Sequence, residues 1–239
     1  MYKRILLKLS GEALAPKTGK QNLDVDCLHN LAEVIKKLHD MNKEIAIVIG
    51  AGNIWRGKLA DEIGIERVPA DFMGMLGTVI NAVALSSALN KLGVQTKVYS
   101  AIHEIPGVCD FYDKIDAKNN LSNGVVCFFA GGTGKPYFTT DTAATLRAIE
   151  TECDAIFMGK YGVQGIYDKD PLKYADATFF PKITFKEIIA KNLQVMDISA
   201  VELIKDTDVE LRVFSMEDAN NFINVANGST IGTTVRRTK

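Results

Sequence analysis

The segment RILLKLSGEAL, residues 4–14, decides how the chain begins to fold. Its first half is an apolar run interrupted by Lys8, which is typical of a buried strand, and its second half is a glycine-containing turn. Glycine at the carboxyl end of a strand lets the backbone turn tightly and offers N–H groups to an anion. The segment therefore predicts a strand from Arg4 to Leu9 that leads into an anion-binding loop.

Two later segments repeat this arrangement. GAGNIWRG, at 50–57, ends the apolar run IAIVIG, and GGTGKPYFTTD, at 131–141, follows the apolar run VVCFFA. Lys8 and Arg56 add positive charge to two of the three loops. Three such loops on one sheet predict a binding site for a polyphosphate.

Apolar strands alternate with helical patterns along most of the chain. A helix is predicted from about Val25 to Met41, with Asp24 as its cap, because its apolar residues recur at spacings of three and four. Further helices are predicted over about 72–91 and 142–152, with strands at 45–50, 95–99, 125–130 and 154–159. This alternation requires a mainly parallel sheet covered on both faces, so the fold class is α/β.

The last third of the chain is less regular. Residues 160–180 are rich in Gly, Tyr, Asp and Pro and predict a hairpin or an ordered loop. Beyond them we expect helices near 184–191 and 199–205, a strand at 210–215, a short helix near 217–225 and a final strand around 231–236. Because no linker or repeat interrupts the pattern, residues 1–239 are expected to form one domain with two lobes.

Composition restricts the possible partners. The 28 basic and 29 acidic residues leave a net charge of -1, which gives no reason to expect a nucleic-acid or membrane surface. The apolar stretch at the amino terminus is too short for a signal peptide, and we expect no later segment of about 18 apolar residues. No cysteines form a Cys-x-x-Cys pair, which indicates a reducing cytoplasm and free thiols. The cysteines are Cys27, Cys109, Cys127 and Cys153.

Two familiar nucleotide-binding motifs do not fit. The third glycine of a dinucleotide fingerprint would fall at Trp55, which is too bulky for close helix packing. A phosphate-binding P-loop would need Ser or Thr where Pro136 follows Lys135, and glycine where Phe129 stands. A Rossmann dehydrogenase and a Walker-type site are therefore both disfavoured.

Lys8, Arg56 and Asp141 each have a structural and a functional interpretation. Burying the Lys8 ammonium is costly without an anion such as phosphate, but a lysine at a strand end can also extend to water. Arg56 is either solvated or a two-pronged phosphate ligand. Thr140 or Asp141 either holds an anion or simply caps a helix. The residues alone leave these alternatives open.

Seven stretches, in order along the chain, resemble the bacterial uridylate kinases of the amino acid kinase superfamily. The resemblance implies a three-layer α/β/α sandwich around a central, mainly parallel sheet, in a protein that forms homohexamers. The amino-terminal part would mainly bind UMP and the carboxyl-terminal part ATP. The stretches are YKRILLKLSGEAL, VIGAGNIWRG, DFMGMLGTVINA, AGGTGKPYFTTDTAA, YDKDP, VMD at 195–197 and RVFSM.

The resemblance also implies roles for individual residues. Lys8, Arg56 and Asp141 would be catalytic, with Asp141 orienting Lys8, and Asp71 would accept hydrogen bonds from the ribose hydroxyls. The ATP-binding residues would be Lys8, Leu9, Ser10, Gly11, Gly52, Arg56, Tyr161, Tyr167 and Asp170. The UMP-binding residues would be Ala51, Asp71, Thr133, Gly134, Lys135, Pro136, Tyr137, Phe138, Thr139 and Thr140.

The implied reaction is transfer of the ATP γ-phosphate to UMP, giving UDP and ADP, in pyrimidine nucleotide biosynthesis. The nucleophile is already an anionic phosphate, so positioning and charge neutralisation matter more than a strong general base. Magnesium would be carried by the nucleotide and water, and no protein metal ligands are expected. His29, His39 and His103 are accordingly interpreted as structural.

Three departures from the family pattern affect these expectations. Ala51 stands where many relatives have glycine, which should matter little if its φ is negative. Gln164 replaces a common Asp beside the ATP site. Residues 15–24 differ from the glycine-rich stretch associated with GTP activation, so GTP activation is left open, while UTP is expected to inhibit by competing at the UMP site.

Two other functions remain in view. A related kinase could phosphorylate a carboxylate or carbamate acceptor, although GGTGKPYFTTD resembles the uridylate group. A storage or regulatory protein on the same scaffold could bind ATP without transferring phosphate.

Overall fold

The structure is a computed structural model that describes residues 2–16 and 21–238. Its main element is a nine-stranded sheet with the order β4-β3-β5-β2-β1-β6-β10-β11-β9. The strands are β1 (Arg4–Leu9), β2 (Glu44–Ile49), β3 (Thr96–Ser100), β4 (Asp110–Phe111), β5 (Val126–Ala130), β6 (Ala155–Lys160), β9 (Lys182–Thr184), β10 (Glu210–Ser215) and β11 (Thr233–Arg236). A separate hairpin pairs β7 (Ile166–Tyr167) with β8 (Phe179–Phe180).

The sheet is parallel except at one junction, where β10 and β11 run antiparallel. Strand β1 lies at the centre, with Lys8 opposite Val48 of β2 on one side and Met158 of β6 on the other. Parallel strands end at a common edge, so the loops after β1, β2, β5 and β6 leave the sheet together. This confirms the predicted mainly parallel sheet.

Helices cover both faces of the sheet. On one face α1, α3 and α8 pack on the odd-numbered side chains of β1, such as Ile5 and Leu7. On the other face α4, α5, α6 and α7 pack on Leu6 and its neighbours. The helices are α1 (Val25–Asp40), α2 (Gly57–Ile63), α3 (Arg67–Lys91), α4 (Lys114–Ser122), α5 (Thr140–Glu150), α6 (Phe185–Ala190), α7 (Ile198–Ile204) and α8 (Asn221–Ala226), and a 3₁₀ turn occupies Gly11–Leu14.

The predicted elements are confirmed apart from shifts at their ends. Strand β1 has the predicted bounds, and the Asp24 side chain caps α1 by accepting a hydrogen bond from the N–H of Cys27 at 2.9 Å. The predicted helix over about 72–91 begins earlier, at Arg67. Its first turn contains Pro69, which is tolerated there because the N–H groups of a first turn have no intrahelical acceptor. The region 160–180 contains the predicted hairpin.

Several elements are missed by the sequence pattern. Helix α4 lies in a stretch for which no element was predicted, because only Ala117 and Leu121 are buried and the remainder is polar. The short strands β4 and β9 and helix α2 are too brief to show a period. The cap of α5 is Thr139, whose side chain accepts from the N–H groups of Asp141 and Thr142, so capping by Thr140 or Asp141 is wrong.

By length and composition alone, helix α3 is apolar enough to cross a membrane, although polar residues such as Thr78, Asn81 and Ser86 interrupt its apolar run. Half of the apolar 18-residue stretch of this helix is buried inside the protein, as in the core helix of a globular fold. The apolar character of α3 is therefore explained in part by its packing on the sheet.

The four cysteines are free thiols, as predicted. Cys127 and Cys153 are buried in the core beneath α4 and α5, and burial raises the pKa of each thiol to about 12. Both thiols stay protonated at neutral pH and serve as small core side chains.

Candidate active site

The loops after β1, β2 and β5 meet at the carboxyl edge of the sheet. The Lys8 side chain lies on the same face of β1 as Leu6, toward α5, and its ammonium contacts the Asp141 carboxylate with Nζ and Oδ1 2.5 Å apart. Each of the two side chains is 19% exposed. Lys8 is therefore neither buried without an anion nor extended into open solvent: it is held at the sheet edge by the first turn of α5.

Glycine at position 11 lets the first two loops approach each other closely. A Cβ atom there would lie 2.3 Å from Asn53 Oδ1 and 2.5 Å from the Gly50 carbonyl oxygen, so no larger residue fits. Asn81 of α3 fixes the contact by donating a hydrogen bond from Nδ2 to the Gly50 carbonyl at 2.7 Å and another to Asn53 Oδ1 at 2.8 Å. The backbone of the two predicted phosphate loops is thereby held in place before any ligand binds.

Leu9 and Ser10 contribute to this loop in different ways. The Leu9 side chain is fully buried in the core, so only its backbone is available to a nucleotide. The Ser10 hydroxyl accepts a hydrogen bond from the N–H of Glu12 at 3.3 Å and caps the 3₁₀ turn. The predicted role of this segment is therefore restricted to its backbone and the Ser10 hydroxyl.

Arg56 lies in the loop after β2, close to Gly52, but its charge is already engaged. Its Nη2 is 2.5 Å from Glu12 Oε1, and its Nε donates to the Gly52 carbonyl at 2.9 Å. The Arg56 side chain is 66% exposed, so this ion pair is weak and open to exchange. A phosphate group would have to displace Glu12 to use the guanidinium.

A cavity of about 260 Å³ opens between the loop after β2, helix α3 and the loop after β5. Its wall includes predicted UMP-binding residues from three separate segments, namely Ala51, Asp71, Phe138, Thr139 and Thr140, together with Gly52. Trp55 also lines the cavity. The sequence indicated Trp55 only as an obstacle to a dinucleotide motif, and its role as a wall becomes visible only once α3 is in place.

Residues 133–137 of the loop 131–141 do not line this cavity, although Gly132 does. Thr133, Gly134 and Lys135 turn back on themselves, and the Lys135 N–H donates to the Thr133 hydroxyl at 3.2 Å. Gly134 has a φ of 76° and comes so close to Ala101 that a Cβ atom would lie 2.4 Å from its carbonyl oxygen. Pro136 and Tyr137, like these three residues, are absent from the cavity wall. Of the predicted UMP-binding residues in this loop, the structure therefore brings only 138–140 to the cavity, together with the neighbouring Gly132.

Asp71 is bound by two partners on the rim of the cavity. Arg67, one helical turn earlier, donates from Nε to both carboxylate oxygens at 2.8 and 2.9 Å. The Tyr137 N–H donates to Asp71 Oδ2 at 2.7 Å. Tyr137 itself has a positive φ of 72°. A carboxylate has about four acceptor positions, so one remains for a ribose hydroxyl unless Arg67 moves. Sequence reasoning missed Arg67, whose i,i+4 spacing from Asp71 was a usable signal.

A second cavity, of about 520 Å³, lies on the other side of β1, beside β6 and β10. Tyr167 and Asp170, both predicted to border adenosine, line it, whereas Tyr161 and Gln164 are exposed outside its wall. Although Tyr161 is 42% exposed overall, partial desolvation raises the pKa of its hydroxyl, so its oxygen stays protonated at neutral pH. The cavity is therefore formed by the hairpin and by the segment 192–195.

Lys160 is a candidate site residue that the sequence interpretation missed. It ends β6, two residues beyond the partner of Lys8, and its Nζ donates to the Val195 carbonyl at 2.6 Å. Burial lowers its pKa, and the charge of Lys8 lowers it further, while Asp141 opposes the shift. A partly buried cation beside Lys8 and Asp141 and on the wall of the second cavity is suited to bind phosphate oxygens.

Asp197 links the two cavities through the segment that follows Val195. Its carboxylate caps α7 by accepting from the Ala200 N–H at 2.9 Å, and it also accepts from the hydroxyls of Thr139 and Thr142. Thr139 and Thr142 flank Asp141 at the start of α5. Asp197, at the end of the VMD stretch, therefore holds the end of the loop 131–141 in place. It thereby also positions the Asp141 carboxylate that contacts Lys8.

Fold and site together define a class. A mainly parallel sheet with glycine loops at one edge, a lysine held by a carboxylate on its central strand and a cavity on either side is the arrangement of a phosphotransferase for two ligands. The model of the amino acid kinase family matches residues 3–215, and the chain belongs to that family.

Within this family, the chain is similar to uridylate kinases. The chain is 47% identical over 224 residues to a uridylate kinase of Mycoplasmopsis pulmonis, covering 94% of this chain and 92% of the relative. The solved UMP kinase of Bacillus anthracis superposes with a TM-score of 0.95 at 36% identity, covering 100% of this chain and 97% of that one. The UMP kinase of Ureaplasma parvum gives a TM-score of 0.92 at 39% identity, with 99% and 100% covered. The three-layer fold and the resemblance to uridylate kinases are thus confirmed.

Proposed function

We propose that this protein transfers the γ-phosphate of ATP to UMP, forming UDP and ADP. The observation that carries the proposal is the position of Lys8 on β1, between the cavity beside β6 and β10 and the cavity beside β2 and β5. We assign ATP to the larger cavity, near Tyr167 and Asp170, and UMP to the smaller cavity, near Asp71. The relatives named uridylate kinase and UMP kinase support this choice of substrates.

In this assignment the two phosphate groups meet over Lys8. The ammonium neutralises negative charge on the group being transferred, and Asp141 keeps the ammonium in position through the 2.5 Å contact. Backbone N–H groups of the loops at 10–11 and 51–52 bind phosphate oxygens, and Arg56 joins them after it exchanges Glu12 for phosphate. A general base is unnecessary, because the attacking oxygen belongs to an anionic phosphate.

Magnesium would accompany ATP. Within residues 2–16 and 21–238 no group of three His, Cys, Asp or Glu side chains is placed to hold a metal ion. Asp141 is the carboxylate nearest the lysine, and its contact with Lys8 leaves part of its acceptor capacity for a magnesium-bound water. Such an ion would neutralise phosphate charge and would be coordinated mainly by nucleotide oxygens and water.

The surface of α3 supports an oligomer. Leu76 and Ile80 are about half exposed, and they border an apolar cavity of about 510 Å³ that Ile105 and Val108 complete. An apolar surface of this kind is expected to be covered by another protein chain. We propose that the chain folds as one domain and that six copies form a homohexamer. The enzyme would act in the cytoplasm, in pyrimidine biosynthesis, and UTP would inhibit it by competing with UMP for the smaller cavity. GTP activation stays open, and the segment 15–24 lies partly outside the described residues.

The test is an acceptor panel. The protein is incubated with Mg-ATP and, separately, UMP, CMP, acetylglutamate and aspartate, and UDP and ADP are measured by chromatography. We expect UDP from UMP, and the CMP reaction measures how strongly the site discriminates between the two bases. Product from an amino acid with none from UMP would instead identify a carboxylate kinase. ATP binding without any transfer would identify a regulatory protein.

A further inference from the structure

A cavity of about 570 Å³ lies far along the sheet from the catalytic edge. Strand β10 ends at Ser215, opposite Lys160, whereas the cavity lies at the beginning of the same strand, beside Glu210 and Arg212. Strands β9 and β11 and the turn after α8 complete its wall. Neither of the two nucleotide cavities shares a lining residue with it.

Arg212 is the chemically unusual residue of this cavity. It is 4% exposed, and its Nη2 donates to the carbonyls of Ser229 and Ile231 at 2.9 and 3.1 Å. Its Nη1 donates to the Tyr2 hydroxyl at 3.2 Å, and its Nε is buried with no hydrogen-bond partner among the described residues. A buried guanidinium held by neutral oxygens carries a charge that is costly to leave without an anion.

The nearest carboxylate does not supply that anion. Glu210 accepts hydrogen bonds from the Tyr2 hydroxyl and from Nε of Arg236, so its charge is balanced by Arg236. Within the described residues Arg212 forms no ion pair, and Lys182, exposed on β9, adds a third cation to the cavity wall. The wall thus carries more positive charge than its carboxylates neutralise in the vicinity of Arg212.

We propose that this cavity binds a small organic phosphate at a site separate from the catalytic one. The phosphate group would neutralise Arg212 and contact Lys182 and Arg236. The hydroxyls of Ser229, Thr230 and Thr234 would hydrogen-bond to the polar remainder of the ligand. The cavity is many times larger than one phosphate ion, and Ile183 and Ala226 give it an apolar side, so a sugar phosphate fits it better than inorganic phosphate.

The experiment measures binding with the catalytic site already filled. The protein is saturated with UMP and a non-hydrolysable ATP analogue, and ribose 5-phosphate or inorganic phosphate is then titrated in by calorimetry. Two surface variants are compared with the unsubstituted protein, because Arg212 itself is buried and its replacement endangers folding. Thr230→Asp places a negative charge on the wall, and Lys182→Ala removes a cation. Lys186→Ala, an exposed lysine of α6 outside the wall, is the control.

We expect ribose 5-phosphate to bind more tightly than inorganic phosphate and Lys186→Ala to leave its Kd unchanged. Hydrogen bonds to charged groups contribute about 1.5–3 kcal/mol, so Thr230→Asp and Lys182→Ala should each raise the Kd by roughly tenfold or more. Absence of binding to the unsubstituted protein would refute the site. Binding that neither variant weakens, or equal affinity for inorganic phosphate, would refute its location or its ligand class. None of these outcomes depends on the proposed kinase reaction.

Discussion

Strand β1 carries two cations, one near each end, and their surroundings differ. Arg4, at the amino end, donates from Nε to Glu44 at 2.6 Å, from Nη2 to the Ser122 hydroxyl at 2.9 Å and from Nη1 to the Thr151 carbonyl. Lys8, at the carboxyl end, has a single described ion pair, with Asp141, and lies on the central strand between the elements that line the two cavities. The Arg4 and Lys8 side chains are similarly buried, at 12% and 19% exposure.

Burial therefore does not distinguish a structural cation from a functional one, but the use of donors does. Arg4 directs Nε, Nη1 and Nη2 each to a carboxylate, carbonyl or hydroxyl oxygen of the fold, so all three nitrogens are already engaged in the structure. Lys8 has three donors, and the contact with Asp141 leaves donors for phosphate oxygens. We call the amino end of β1 the closed end, because the nitrogens of its cation are bonded within the fold. We call the carboxyl end the open end, because its cation keeps donors for a ligand.

The largest effect is expected from Lys8→Ala. Removing the group that neutralises the transferred phosphate should lower turnover by roughly two or more orders of magnitude. The fold should persist, since Lys8 contributes little to either core cluster. Steady-state UDP formation and thermal unfolding would be measured together, with Lys37→Ala, on the exposed face of α1, as the control. Near-normal turnover in folded Lys8→Ala protein would refute the catalytic role.

Arg4→Met should lower stability and leave turnover nearly unchanged, which is the reverse of the effect expected for Lys8→Ala. Among the described residues Arg4→Met leaves Glu44, 8% exposed in its side chain, with the exposed Lys3 as its one remaining ionic partner. Loss of one member of a largely buried pair should reduce the free energy of unfolding by about 2–4 kcal/mol. Turnover of the protein that stays folded should be nearly unchanged. Urea unfolding gives the stability, and a large loss of turnover at full folding would contradict the division of roles along β1.

The sequence predicts the open end of the sheet better than the closed end, for physical reasons. Glycine loops after apolar runs leave a readable signal, so the strands, the three loops and Lys8 are found in the predicted places. The pairing of Arg4 with Ser122 and Thr151 depends on residues more than a hundred positions away, and no local pattern reports it.

The same limit applies within the site. The Asp141 contact and the cavity beside Asp71 need α3 and α5 in their final positions. Lys160 and Asp197 act through the segment 192–197, whose place beside the loop 131–141 is set by packing of α6 and α7. The short helix α4 is missed for a different reason: it buries too few apolar residues to show a helical period in the sequence. Tertiary contacts decide these cases.

Lys160→Met is expected to have an intermediate effect and extends the comparison to the neighbouring strand. Unlike Arg4, Lys160 has one described hydrogen bond, to the Val195 carbonyl, and faces the larger cavity. Loss of one charged contact to phosphate should raise the KM for ATP by about tenfold, with a smaller change in the KM for UMP. Lys118→Met, on α4 and paired with Glu152, lies outside the wall of this cavity and is the control. Equal changes in both KM values would indicate a general loss of structure instead.

The smallest effect tests how tightly the open end is packed. A Cβ atom at Gly77 of α3 would lie 2.9 Å from the Ala51 methyl group, while its next neighbours, in Ile54, would be 3.7 Å away. Ala51 itself is not among the residues with positive φ, so alanine is unstrained there. Gly77→Ala should therefore reduce stability by about 1–2 kcal/mol, because the clash outweighs the gain in helix propensity.

In an Ala51→Gly background the clash disappears, and the same Gly77→Ala change should be neutral or should increase stability by up to about 1 kcal/mol. Ala51→Gly alone should lower stability by less than about 1 kcal/mol, since it removes one buried methyl group and adds backbone freedom. The four proteins form a double-mutant cycle measured by urea unfolding. Additive effects would show that α3 yields by a few tenths of an ångström, and the loop after β2 would then not depend on close approach at this point.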